Sequence, residues 1–138
     1  MSQICIVNVA RKGSNSEKIL NILKEELDVS ILNILDEGYG CSDALERVIF
    51  LLSAQGDGEM TIEMEKFILN NANSIKDYTI LEIGNYYGFD DWGFGPGKKI
   101  INALGEGSTL IFSPLSLDTL PAIDYSSLYK WVTCIKEV

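Results

Sequence analysis

Short apolar runs alternate along the chain with longer stretches in which apolar residues recur every three or four positions. Residues 3–9, QICIVNV, are rich in Ile and Val and read as a buried strand. SEKILNILKEEL follows, with apolar residues at 19, 20, 22, 23 and 27, the spacing of a helix that packs one face on a sheet. Ser14 or Asn15 stands where a helix N-cap belongs, with Glu17 in the first turn. DVSILNIL predicts a second strand, and DEGYGCSDALE a loop with at most one helical turn. RVIFLLS is continuously apolar, which predicts a third strand covered on both faces. EMTIEMEKFILNNA reads as a second helix, with Met64, Phe67, Ile68 and Leu69 toward the sheet. YTILEIG predicts a fourth strand, KKIINAL a short helix, STLIFSPL a fifth strand and IDYSSLYKWVTCIKEV a closing helix.

Strands that alternate with helices predict β-α-β crossovers and a parallel sheet. The expected fold is therefore α/β, a doubly wound five-stranded parallel sheet. No linker, charge block or repeat divides the 138 residues, so one domain over 1–138 is expected. The crossover between the second and third strands is the weak junction, because it lacks a clear helix. In such sheets ligands bind beyond the carboxyl ends of the strands, where strand order reverses.

Composition narrows the chemistry. The chain is 46% apolar, as a compact globule would be, and no apolar run approaches the ~20 residues of a membrane helix. MSQICIVNVARK has no basic segment ahead of an apolar core, so a cytoplasmic protein is expected. A net charge of −9 opposes nucleic-acid binding. The absence of histidine removes imidazole-based triads, Cys-His pairs and His-ligated zinc. Cys5, Cys41 and Cys134 are scattered and read as small core residues, and no metal site is expected.

Three loops would meet at the carboxyl rim. Arg11, Lys12, Gly13, Ser14, Asn15 and Ser16 lead into the first helix. Their glycine, hydroxyls and free helix-end N–H groups have the chemistry of a phosphate cradle, or of an ordinary capped turn. Ser53, Ala54, Gln55, Gly56, Asp57, Gly58 and Glu59 follow the third strand. Asn85, Tyr86, Tyr87, Gly88 and Phe89 open the loop after the fourth, which continues through Asp90, Asp91, Trp92 and Phe94. Glycines for close backbone approach and aromatic faces suit a flat conjugated ring. A satellite hydrophobic cluster with a solvated acidic rim would use the same residues. No catalytic acid, base or nucleophile stands out. A Walker loop fails, since Trp92 lies where its first glycine should be, and no GxGxxG follows the first strand. A phospho-receiver would need acids where Asn8 and Ser53 stand.

At these residues the chain resembles the flavodoxins and the related FMN-binding domains of sulfite reductase flavoproteins and cytochrome P450 reductases. RKGSNSE stands at the family's hydroxyl-rich phosphate loop, SAQGDGE at its Ser-Thr-x-Gly-Asp/Glu-Gly-Glu loop, and EIGNYYGF at the loop leading to a stacking tyrosine. The resemblance implies strand order 2-1-3-4-5 and FMN as cofactor. It implies phosphate binding by Ser14, Asn15 and Ser16 with help from Arg11, Lys12 and Gly13. Ser53, Ala54, Gln55, Gly56, Asp57 and Gly58 would line the flavin, with Asn85, Tyr86, Tyr87, Gly88 and Phe89 on the opposite face. Arg11 and Lys12 replace the family's hydroxyl residues, Ser14 its glycine, and Gln55 the aromatic of many members. The implied activity is low-potential electron transfer by a non-enzymatic, monomeric carrier. Its reductase and acceptor would dock on the acidic face. The altered phosphate loop and Gln55 motivate the alternative, a flavodoxin-fold partner-binding or regulatory module that has lost tight FMN binding.

Overall fold

The computed structural model describes residues 4–34, 47–53, 62–84, 95–119 and 122–137. Among these residues six strands form one sheet: β1 (Ile4–Asn8), β2 (Val29–Asn33), β3 (Arg47–Ser53), β4 (Asp77–Gly84), β5 (Thr109–Leu110) and β6 (Leu115–Asp118). The α-helices described with them are α1 (Asn15–Glu26), α2 (Ile62–Asn71), α3 (Gly95–Leu104) and α4 (Tyr125–Lys136). The strands run in the order β2-β1-β3-β4-β5, and β6 also pairs with β4. Every pairing is parallel. This is the expected α/β sheet in the expected order.

Alternation along the strands divides the core into two layers, because successive side chains point to opposite faces. Val48, Phe50 and Leu52 of β3 pack with Tyr78 and Ile80 of β4 against Met64, Phe67 and Ile68 of α2 and Ile100 and Leu104 of α3. Ile49, Leu51, Leu81 and Ile83 pack on the other side against Ile19, Leu20 and Leu23 of α1 and Leu128, Trp131, Val132 and Ile135 of α4. The continuous apolar run of β3 thus serves both layers. Phe50 and Tyr78 meet edge to face, with centroids 6.1 Å apart and planes at 69°. Each fully buried side chain of this size stabilises the fold by roughly 1.5–3 kcal/mol.

Four details differ from the sequence reading. STLIFSPL forms two short strands, not one. Pro114 has no N–H for the ladder, and the chain steps out after Leu110 and rejoins β4 at Leu115. Leu69 of α2 faces solvent, 79% exposed, as does Ile62. The inward stripe is instead Met64, Phe67, Ile68 and Asn71, spaced i, i+3, i+4, i+7. Helix α3 begins at Gly95, three residues before the expected start. Cys5 is buried but Cys134 is exposed on α4, between the inward-facing Val132 and Ile135. Burial pushes the Cys5 thiol up, with the Ser30 hydroxyl opposing it in part. The junction between β2 and β3, with Cys41, lies outside the described residues.

Candidate functional site

Because the strands are parallel, Asn8, Ser53, Gly84 and Asp118 close β1, β3, β4 and β6 on one rim of the sheet. Register fixes their relative heights: Asn8 lies beside Leu51, Ser53 beside Ile83, and Gly84 beside Asp118. The Gly84 carbonyl accepts from the N–H of Thr119 at 2.9 Å, which extends the β4–β6 pairing past the last strand residue.

At the β1 end of this rim the chain turns sharply into α1. Gly13 has φ +82°, and a Cβ built there would meet nothing within 4 Å, so backbone conformation and not space asks for glycine. Ser14 is the N-cap: its Oγ accepts from the Glu17 N–H at 3.1 Å and donates its proton to the Arg11 carbonyl at 2.6 Å. The Ser14 N–H donates to that same carbonyl. Glu17 reaches back, and its Oε1 accepts from the Gly13 N–H at 3.0 Å. This is a variant of the capping box, closed one residue ahead of the cap itself.

The cap satisfies Glu17 and Lys18 and leaves the N–H groups of Asn15 and Ser16 with no acceptor among the described residues. They lie at the positive end of a 12-residue helix. Asn15 is exposed and Ser16 is buried. Arg11 and Lys12 are both exposed, and neither forms an ion pair among the described residues. Two cations and two amides without partners among the described residues, with the polar groups of Asn15 and Ser16, therefore share one corner. That set can bind an anion. The Ser14 hydroxyl, expected as a ligand, is committed to holding the turn.

Two residues that the sequence pattern does not single out hold this corner. Asn8 is fully buried at the end of an otherwise apolar strand. Its Oδ1 accepts from the Ala10 N–H at 3.0 Å, and its Nδ2 donates to the Leu32 carbonyl at 3.2 Å. Asn33, ending β2, donates its Nδ2 to the Ala10 carbonyl at 2.9 Å. The signal available in the sequence is a polar residue inside IVNV, weak because the bonded partners lie 23 and 24 positions apart along the chain. Another buried polar residue without a sequence signal stands in β4: Glu82 is fully buried and pairs in register with Ser116.

Of the remaining candidates, Ser53 ends β3 and is half-buried. Ala54, Gln55, Gly56, Asp57 and Gly58 lie outside the described residues, as do Asn85, Tyr86, Tyr87, Gly88 and Phe89. Among the described residues no cluster of His, Cys, Asp or Glu could hold a metal, and no helix is long and apolar enough to cross a membrane.

No family model and no curated protein sequence matches the chain. Solved structures do. Oxidised flavodoxin 2 from Bacillus cereus aligns with a TM-score of 0.70 at 20% identity, over 98% of each chain. Two-electron reduced Megasphaera elsdenii flavodoxin gives 0.68 at 17%, over 94% of this chain and 95% of that one. Fusobacterium nucleatum flavodoxin bound to flavin mononucleotide gives 0.65 at 16%, over 99% and 98%. Identities this low speak for architecture alone, and with the parallel order β2-β1-β3-β4-β5 they agree on it. The chain has the flavodoxin fold.

Proposed function

We propose that this protein is a one-domain electron carrier that binds FMN at the carboxyl rim of its sheet. The observation that carries the reading is the β1–α1 corner. It has a left-handed glycine, a capped helix end, and two amides and two cations with no partner among the described residues, at the switch between β1 and β3. The donor set fits a phosphate group. Asn15 and Ser16 would bind it through N–H and side chain, while Arg11 and Lys12 would neutralise its charge and offset the nearby Glu17 carboxylate. Gly13 and Ser14 would hold the turn in shape.

By position along the rim, the loop of Ser53, Ala54, Gln55, Gly56, Asp57 and Gly58 would line one side of the flavin. Asn85, Tyr86, Tyr87, Gly88 and Phe89 would cover the other. Bound FMN supplies the one- and two-electron chemistry, and the protein binds, orients and tunes it. Acids close to the ring, Asp57 and Glu59 first, would disfavour added negative charge and lower the potential. The net charge of −9 would steer basic reductase and acceptor proteins toward the site. Such a carrier would work in the cytoplasm as a monomer.

Adding FMN to the purified apoprotein tests this directly. Quenching of flavin and tryptophan fluorescence with one-to-one stoichiometry is the expected result. A colourless protein whose fluorescence ignores FMN would support the other reading, a flavodoxin-fold module that binds protein partners without the cofactor.

A further inference from the structure

The chain leaving β1 is held at one residue by two side chains from different strands. Ala10 has its N–H bound by Asn8 and its carbonyl bound by Asn33. Asn8 is itself fixed, since its Nδ2 reaches the Leu32 carbonyl and its own carbonyl accepts the Ile34 N–H at 3.0 Å. One residue further on, the Arg11 carbonyl receives both the N–H and the hydroxyl of Ser14. A continuous series of fixed points therefore runs from the buried sheet to the helix cap.

A buried amide is a poor choice for a core position unless its hydrogen bonds fix something. It loses water on both its donor and acceptor sides and must replace it. The neighbours of Asn8 along the chain are Ile6, Val7 and Val9, all buried, and an apolar residue of similar size would suit that layer. What an apolar residue could not supply is the hold on Ala10. Without it, rotation about the backbone between Val9 and Arg11 could swing the loop without disturbing the core.

We propose that Asn8 and Asn33 are positioning residues for the phosphate-binding corner. Together they aim the loop so that Arg11, Lys12 and the open amides of Asn15 and Ser16 converge on a single anion. The inference rests on the FMN reading above and adds to it two residues that touch no ligand. Their effect on binding is expected first at the phosphate end of the cofactor, because Ala10 leads directly into the cradle of Arg11 to Ser16.

FMN and riboflavin separate this role from a purely structural one, since riboflavin has the same ring and no phosphate. Dissociation constants for both are measured by fluorescence on the wild type, Asn8→Leu, Asn33→Ala and the double variant, alongside urea denaturation of each apoprotein. The expected result is FMN affinity weakened about tenfold to a hundredfold in each single variant, the weight of one or two hydrogen bonds. Riboflavin affinity should change less than about threefold. The double variant should lose less than the product of the singles, because both side chains hold one residue. An equal loss for both ligands, or an unchanged FMN-to-riboflavin ratio, overturns the proposal even if stability falls. Should Asn8→Leu fail to fold, Asn33→Ala at the half-buried end of β2 decides by the same ratio. A wild type that binds neither ligand overturns the FMN reading and this inference together. A wild type that binds FMN beside variants of unchanged ratio overturns only the inference.

Discussion

Among the described residues, the backbone leaves the parallel ladder at two places where side chains take over its hydrogen bonding, and they are finished differently. After β1, Asn8 and Asn33 bind both polar groups of Ala10, and the chain then emerges into solvent with Arg11 and Lys12 exposed. Between β5 and β6, Thr79 donates its hydroxyl to the Phe112 carbonyl at 3.0 Å and Trp131 donates its indole N–H to the Ser113 carbonyl at 2.8 Å. There the chain turns back into the sheet. The first arrangement leaves donors and cations open, as recognition requires. The second ties its carbonyls back to the core. Side chains that hold backbone thus serve two ends in one sheet, and the course of the held segment, out to solvent or back to the ladder, distinguishes them.

Breaking the closed side should cost stability and little else. Trp131 is nearly buried and packs in the layer with Leu128, Val132 and Leu117. Trp131→Ala removes that packing and leaves the Ser113 carbonyl without its donor. A loss of about 3–5 kcal/mol is expected from such truncations, read as a lower urea midpoint. The folded fraction should keep its FMN-to-riboflavin ratio. A ratio that fell with Trp131 would show that the break between β5 and β6 shapes the ligand site as well.

Thr79→Val should act in the same direction and more weakly. The substitution keeps the volume of a residue that is 1% exposed and deletes the bond to Phe112. Losing this part-buried bond costs about 0.5–1.5 kcal/mol, again with ligand selectivity unchanged.

How far each side is legible from sequence depends on the reach of its contacts. RVIFLLS reads to the residue as β3, because a strand covered on both faces is apolar throughout. The cap at Ser14 is legible too, its partners being Arg11 and Glu17, three residues away on either side. The holds made by Asn33, Thr79 and Trp131 are not, since each side chain reaches backbone 18 to 33 positions away. Asn8 reaches Ala10 only two positions on, but its burial and its second bond, to Leu32, 24 positions away, are not visible in the pattern. Pro114 does mark the break in STLIFSPL, but an apolar run on both sides conceals it. The pattern misplaces Leu69 in α2 because a helix with apolar residues on two faces does not reveal which one is buried. Of the rim, the phosphate-type corner can be compared with structure, whereas the loops of Gln55 and Tyr86 fall outside the described residues.

On the open side, the cations should govern affinity and leave stability alone. Arg11→Ala and Lys12→Ala remove exposed charges without ion-pair partners among the described residues, so the urea midpoint should hardly move. FMN binding should weaken by about twofold to fivefold for each, the weight of an exposed charge interaction. Added salt should weaken wild-type binding and have less effect on the double variant, because screening acts on the interaction those side chains supply. Riboflavin binding should be insensitive to all of this. Equal salt dependence in wild type and double variant would place both side chains away from the phosphate.

The smallest expected effect separates the two helix caps. Asp124 caps α4: its Oδ1 accepts from the Ser127 N–H at 3.1 Å and its Oδ2 accepts from the Ser127 hydroxyl at 2.7 Å. The hydroxyl first, and then the backbone N–H, holds its carboxyl below the ordinary carboxylate range. A group that binds its proton less readily folded than unfolded stabilises the fold above its unfolded pKa, and loses that contribution as pH falls through the folded value. Asp124→Ala should therefore lower the Tm at neutral pH, and the gap to wild type should close in acid below the usual aspartate range. The Ser14 hydroxyl has no such titration, so the part of the Ser14→Ala penalty due to that hydroxyl, about 1 kcal/mol for a neutral cap, should persist there. A gap for Asp124→Ala that stayed constant into acid would mean that the charge of the cap contributes nothing to α4.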